Sequence, residues 1–288
     1  MLETMLGVIG GSGLYDLPDL TAVESRSLTT PFGDPSSPVV MGELDGLRIA
    51  FLARHGRGHR LNPTEIPYRA NVWALRELGV THVLSVSAVG SLQEALAPRT
   101  AVLPDQVIDR TVSRPRTFFE DGIVAHVGLA DPFCVNMRRT ILDLGQQRSV
   151  PFHDGGTYVC IEGPQFSTRA ESQLYRSWNG AVIGMTAMPE ARLAREAGLC
   201  YATMAMVTDY DVWHDAEEDV TVEMVLKVLH DNIETGRAMV RDLARSGLPS
   251  REQCGCGRAL TAAIVTAPDA ISDEARTRLG LLLDGRSG

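Results

Sequence analysis

Pro189-Glu190-Ala191-Arg192-Leu193-Ala194-Arg195-Glu196-Ala197-Gly198-Leu199-Cys200-Tyr201-Ala202-Thr203-Met204-Ala205-Met206-Val207-Thr208-Asp209-Tyr210-Asp211 spells out a complete αβ unit. Proline opens a helix and glycine ends it. The apolar run that follows predicts a strand, and the polar loop after it carries two acids. In an extended segment, side chains at i and i+2 share a face, so Asp209 and Asp211 can meet one ligand group at the strand end. A carboxylate beside another is harder to ionise, which sets a proton donor next to an acceptor and suits a nitrogen-rich leaving group. The competing reading is a pair of acids capping a strand end in water.

The same grammar recurs along the chain. Residues 67–78 place Ala70, Trp73, Ala74 and Leu78 on one helical stripe, closed by Gly79. Apolar runs at 6–9, 47–53, 82–86, 157–161 and 181–184 each end in a loop of small or polar residues. Helices alternating with apolar strands predict an α/β domain with a mixed, largely parallel central sheet flanked by helices and buried on both faces. Ligands of such folds bind beyond the carboxyl ends of the strands, where these loops fall. From residue 221 a long amphipathic helix is expected, then a Gly/Ser/Cys-rich linker at 246–257 and a short helix near 272–283. The expected organisation is one domain, with residues 1–247 as its body and 248–288 as a linker and helix belonging to it.

Composition narrows the function. The 288 residues carry 44% hydrophobic content and a net charge of −9, enough for a large core and unsuited to nucleic acid. No run approaches a membrane span and no leader pattern opens the chain, so a cytosolic protein is expected, with no membrane partner. Cys134, Cys160 and Cys200 each lie alone in apolar surroundings and read as reduced core thiols. Cys254-Gly255-Cys256 is open to three readings: a redox pair, half a metal site, or an idle tail. With no partner pair of zinc spacing nearby, no metal is expected.

Gly10-Gly11-Ser12-Gly13 fails the dinucleotide fingerprint, since Asp16 falls where the third glycine belongs. It leaves a small anion nest or an ordinary glycine turn. Arg54-His55-Gly56-Arg57-Gly58-His59-Arg60 is the one dense basic cluster, and its Arg fork and His donor suit phosphate or carboxylate. Ser87, Ala88 and Thr186 can add hydroxyl and backbone donors. Phe166, Ser167 and Met185 are open to two readings, a flat apolar slot suited to a heterocycle or plain core. Gly-x-Ser-x-Gly, His-Glu-x-x-His and Cys-x-x-Cys are absent, against a serine hydrolase, a zinc peptidase and a thioredoxin-type enzyme.

Taken together, Val8-Ile9-Gly10-Gly11-Ser12-Gly13-Leu14, Pro31-Phe32-Gly33, Ala53-Arg54-His55-Gly56, Ser87-Ala88-Val89-Gly90-Ser91-Leu92, Ile161-Glu162-Gly163-Pro164-Gln165-Phe166-Ser167-Thr168-Arg169-Ala170-Glu171-Ser172, Met185-Thr186 and Thr208-Asp209-Tyr210-Asp211 resemble the S-methyl-5'-thioadenosine phosphorylases. These belong to the trimeric branch of the purine nucleoside phosphorylases. The resemblance runs over about residues 6–245 and weakens after Gly247. It implies attack of inorganic phosphate, a co-substrate rather than a cofactor, on the ribose of a purine nucleoside. By motif, Ser12, Arg54, His55, Ser87, Ala88 and Thr186 would hold phosphate, Met185 would lie along the ribose, and Phe166 with Ser167 would meet the purine. Asp209 would serve N7 and Asp211 the 6-amino group. Relatives preferring 6-oxopurines carry Asn in place of Asp209, so two acids favour adenine. Val222, Val225 and Leu226 would form an apolar 5' wall, and His126 would reach a neighbouring subunit's site, implying a homotrimer. The Cys-x-Cys element resembles one that bears on stability in some microbial relatives. Phosphorolysis of 5'-deoxy- or 5'-halo-5'-deoxyadenosine, broader purine nucleoside phosphorolysis, a hydrolytic nucleosidase and a nucleoside-binding protein without turnover are the rival readings.

Overall fold

The computed structural model describes residues 4–11, 13–14, 17–214 and 222–284, with the side chains of 222–227, 229, 230 and 284 excepted. In chain order the elements are β1 (Met5–Gly10), β2 (Thr21–Arg26), β3 (Val39–Leu44), β4 (Leu47–Ala53), α1 (Tyr68–Glu77), β5 (His82–Ser91), β6 (Ala101–Leu103) and β7 (Gln106–Asp109). There follow α2 (Val135–Gly145), β8 (Phe152–Asp154), β9 (Thr157–Cys160), α3 (Arg169–Ser177), β10 (Gly180–Gly184), α4 (Ala187–Glu196), β11 (Cys200–Asp209), α5 (Val222–Ser246) and α6 (Asp273–Asp284).

The alternation of side chains along buried strands builds two cores, one on each face of the sheet. In β11, Tyr201, Ala205 and Val207 join Val72, Trp73, Leu75, Ala191 and Leu193 of α1 and α4. The intervening Ala202, Met204 and Met206 join Met137 and Ile141 of α2 and Met239, Val240 and Leu243 of α5. The tail packs with the first layer through Ala275, Leu279 and Leu282 of α6.

The sheet has 11 strands, with β2-β3-β4-β1-β5-β10-β9-β7 as its main path and β11 pairing with β5 and β6. Strand β5 is the junction, parallel to β1 and β11 and antiparallel to β10. Its first half continues the parallel set, while Gly90 and Ser91 face Ile183 and Val182 of β10. The expected single row of carboxyl-end loops is thus two rows, from β1, β4, β5 and β11 on one side and from β9 and β10 on the other. They meet over β5.

Candidate active site

The acid pair stands where these rows meet. Asp209 is the last residue of β11, paired with Gly90 of β5. A Cβ on Gly90 would come within 2.9 Å of Asp209 Oδ1 and 3.3 Å of Asp211 Cβ, so glycine is what lets both acids close on the strand. Asp211 lies beyond the strand, at φ +54°. The shared-face expectation for i and i+2 therefore has a different geometry behind it. The chain turns, and the Asp211 N–H donates to Asp209 Oδ1 at 2.9 Å. The left-handed conformation costs about 1–2 kcal/mol for an L-residue, less for aspartate. Trp213 anchors the turn by donating its Nε1–H to Ser91 O at 2.7 Å.

Both acids are buried, at 5% and 7% exposure. Asp209 Oδ2 accepts the Thr208 hydroxyl at 2.6 Å, so both its oxygens already have protein donors. Asp211 Oδ2 accepts the Ser172 hydroxyl. Burial pushes the Asp211 carboxyl up to about 6; the Ser172 bond opposes this and the neighbouring Asp209 charge reinforces it. The carboxyl that burial holds towards its protonated form is thus the acid the sequence assigned as an acceptor. Ser172 sits in α3, whose start is fixed by a capping box between Thr168 and Glu171.

The basic cluster behaves differently from its sequence reading. The Arg54 fork is 2% exposed and turned inward. Its Nε and Nη2 donate to Glu190 at 2.9 and 3.1 Å, Nη1 to Val86 O at 3.0 Å, and Nη2 also to Ser85 Oγ at 2.6 Å and Ile9 O at 3.3 Å. Glu190, at 1% exposure, further accepts the hydroxyls of Ser85 and Tyr201, each at 2.8 Å. This is a brace joining the ends of β1 and β4 and the middle of β5 to α4, and Glu190 carries the charge that the anion was expected to carry.

His55 Nδ1 lies 2.9 Å from Leu61 O, so this nitrogen carries the proton and Nε2 is the acceptor in the neutral ring. Burial, with the Arg54 charge adding to it, lowers the His55 pKa to about 4, while the Leu61 bond opposes the shift. Its ring stacks on His59 at 4.2 Å.

Across β5, the buried hydroxyls of Ser87 and Tyr158 face each other without closing a hydrogen bond of good geometry, and neither closes one elsewhere. Ala88 is exposed beside Ser87, and Thr186 is buried at the start of α4. An orphaned hydroxyl is costly unless a ligand answers it. Met185 is half-buried and Phe166 is 45% exposed, while the Ser167 hydroxyl is a further orphan. Arg114, unremarked in the sequence, holds this side together by donating from Nη1 to Met185 O at 2.6 Å, Met188 O at 2.7 Å and the Tyr68 hydroxyl at 3.1 Å.

Ser12 lies outside the described residues, and Val222, Val225 and Leu226 are placed only as backbone of α5. His126 is exposed, its backbone N–H donating to Ala263 O at 2.8 Å. The cysteines correct the sequence reading. Cys134 and Cys200 do not lie alone, because their sulfurs converge with those of Cys254 and Cys256. Only Cys160 stands apart, 3.3 Å from the Met188 N–H.

The phosphorylase superfamily model matches residues 5–245, and the chain belongs to that superfamily. An S-methyl-5'-thioadenosine phosphorylase of Koribacter versatilis is 51% identical over 98% of this chain and 96% of its own. One of Chloroflexus aurantiacus is 53% identical over 97% of each. Among solved structures, a methylthioadenosine phosphorylase from an antarctic soil metagenomic library superposes with a TM-score of 0.91 at 47% identity, covering 98% of this chain and 99% of that one. The Schistosoma mansoni methylthioadenosine phosphorylase in complex with adenine gives 0.80 at 33% identity, covering 99% of each. Within the superfamily, this chain is a member of the S-methyl-5'-thioadenosine phosphorylase family, a family of pentosyltransferases.

Proposed function

We propose that the chain catalyses phosphorolysis of S-methyl-5'-thioadenosine to adenine and 5-methylthioribose 1-phosphate, in line with its relatives at about half identity over nearly the whole chain. The observation that carries the reading is the placement on one strand, β5, of the unsatisfied Ser87 hydroxyl and of Gly90, against which the buried acid pair closes. In this scheme phosphate lies over Ser87, Ala88, Thr186 and His55, with Ser12 from the loop after β1. A phosphate oxygen bonds to C1' as the C1'–N9 bond breaks, and the electron pair passes into the purine. The transition state is oxocarbenium-like, so the anion beneath C1' offsets the growing positive charge.

The acid pair faces the base. With Asp209 held as an acceptor by its two donors and Asp211 titrating near 6, the pair supplies one proton towards N7 and one acceptor to the 6-amino group. Arg54 acts here through position, its brace fixing the loop that carries His55. Met185 flanks the ribose, Phe166 and Ser167 the base, and Val222, Val225 and Leu226 the 5' group. No cofactor is called for.

The reading includes a homotrimer acting in the cytosol. Support for a covered face comes from Val124 and Val265, exposed at 45% and 60% and bonded to each other on one side of the Ala125–Ile264 bridge, with His126 on the other. Among the described residues no helix is long and apolar enough to cross a membrane.

Adenine release, measured with and without phosphate on 5'-methylthioadenosine, 5'-deoxyadenosine, adenosine, inosine and methylthioinosine, tests base and 5' specificity together. Phosphate-dependent release fastest on 5'-methylthioadenosine is expected. Release that proceeds equally without phosphate makes the chain a hydrolase and sinks the proposal.

A further inference from the structure

Cys134, Cys200, Cys254 and Cys256 come from three separate parts of the chain, and their Sγ atoms all lie within 4.8 Å of one another. Cys134 is the N-cap residue of α2, Cys200 opens β11, and the other two sit in the tail beyond α5. All four are buried, at 2%, 1%, 7% and 2% exposure. Four thiols packed only as small apolar groups have no reason to turn every sulfur to one point. A tetrahedral zinc with Zn–S bonds of about 2.3 Å places its sulfurs about 3.8 Å apart, the spacing this cluster approaches. The Cys200 and Cys254 sulfurs stand 3.4 Å apart, well beyond a disulfide bond of about 2.05 Å.

We propose that these four cysteines form a structural zinc site that fastens the C-terminal tail to the sheet. Four thiolates with no open position make the donor set of structural zinc. The surroundings fit a site that is negatively charged when loaded. Cys134 places its sulfur at the positive end of α2, and Arg195 Nη1 lies 3.6 Å from Cys256 Sγ. Backbone bonds hold the ligands independently of any metal: Cys134 N–H donates to Tyr201 O at 2.7 Å, Cys200 N–H to Thr81 O at 3.0 Å and Cys254 N–H to Arg251 O at 3.3 Å. The tail is further tied by His82 Nε2, 3.0 Å from Pro249 O. The zinc sits at the start of the strand whose far end carries Asp209, about 30 Å away at about 3.3 Å per residue, so its work is in the fold and not in the chemistry.

The test uses full-length protein expressed with added zinc and purified without chelator. Plasma mass spectrometry is expected to find about one zinc per chain. Displacement of the zinc by cobalt is expected to give thiolate-to-cobalt charge-transfer absorption, a readout on the unmutated protein that does not depend on a variant folding. Cys256→Ser lowers the zinc content, and Cys160→Ser, outside the cluster, leaves it unchanged. Two results overturn the proposal. One is metal-free protein that takes up neither zinc nor cobalt while all five thiols titrate as free, leaving four plain core thiols. The other is metal-free protein with fewer than five free thiols after denaturation without reductant, which makes the cluster a disulfide pair or pairs. Iron in place of zinc on the same sulfurs overturns the zinc assignment.

Discussion

Replacing Glu190 by Gln tests whether Arg54 is a brace rather than an exposed anion hook. The substitution keeps the size of the side chain but removes the charge that receives Arg54 Nε and Nη2, and it puts an amide N–H where one carboxylate oxygen accepted donors. Glu190 also takes the hydroxyls of Ser85 and Tyr201, so several buried donors lose their acceptor together. Removing one partner of a buried ion pair leaves an uncompensated charge, at a cost of about 3–5 kcal/mol. Total stability is of order 5–15 kcal/mol, and each kcal/mol moves Tm by roughly 2–4 °C in a chain of this size. Melting at fixed protein concentration is expected to show Glu190→Gln lower by about 6–20 °C. Arg54→Met combined with Glu190→Leu, which removes both charges, is expected to lie above either single variant. A loss below about 1 kcal/mol for Glu190→Gln, with only phosphate KM changed, would refute the brace and return Arg54 to the anion.

Asp209→Asn, which sets an amide donor where the 6-amino group needs an acceptor, is expected to cut turnover of methylthioadenosine by about 10-fold or more and to move preference towards 6-oxopurines; a nucleoside panel with an unchanged profile would remove Asp209 from the base site. For Asp211 the sign of the linkage is set by a folded pKa of about 6 against an ordinary 3.8. The contribution is present below pH 3.8 and lost as pH rises through 6, so the ionised carboxylate burdens the fold at neutral pH. Asp211→Asn is therefore expected to be more stable than the parent by about 1–3 kcal/mol at about pH 7.5, and to lose that advantage near pH 4, while turnover drops. Denaturation curves at the two pH values decide it, and a variant no more stable at the higher pH contradicts the burial argument.

The sheet was legible where its strands are buried on both faces, because such strands read as continuous apolar runs; β1, β4, β5, β9, β10 and β11 all announce themselves this way. Strand β2 is exposed along its whole length and carries polar residues, and β6 and β8 have three residues each, too short for any period to emerge. Helix α3 had a signal that was readable, the Thr168–Glu171 capping box, although its apolar stripe is thin. Loop chemistry singled out Asp209, Asp211, Ser87 and Thr186 as candidates, which the fold sets at the end of β11, in the turn after it, on β5 and at the start of α4. What a linear pattern leaves out is which charge answers which. Nothing in Met188-Pro189-Glu190 distinguishes a surface helix start from the buried partner of Arg54, and Arg114 sits in a stretch of loop with no period at all. The cysteine cluster was invisible for a related reason: its members are brought together by the packing of α2, β11 and the tail, not by spacing along the chain.

Strand β5 sets a length as well as a position. Ser87, with its unsatisfied hydroxyl, and Gly90, against which the acids close, are three residues apart on one strand, a span of about 10 Å at about 3.3 Å per residue. The two ends of whatever binds here are thus measured against one strand, paired with β11 along the whole span, instead of against two loops free to drift. Substrates sharing a sugar-sized separation between attacking anion and leaving base can exchange their outer groups without disturbing that gauge. One inserted residue between Ser87 and Gly90 would put it out of register for all of them.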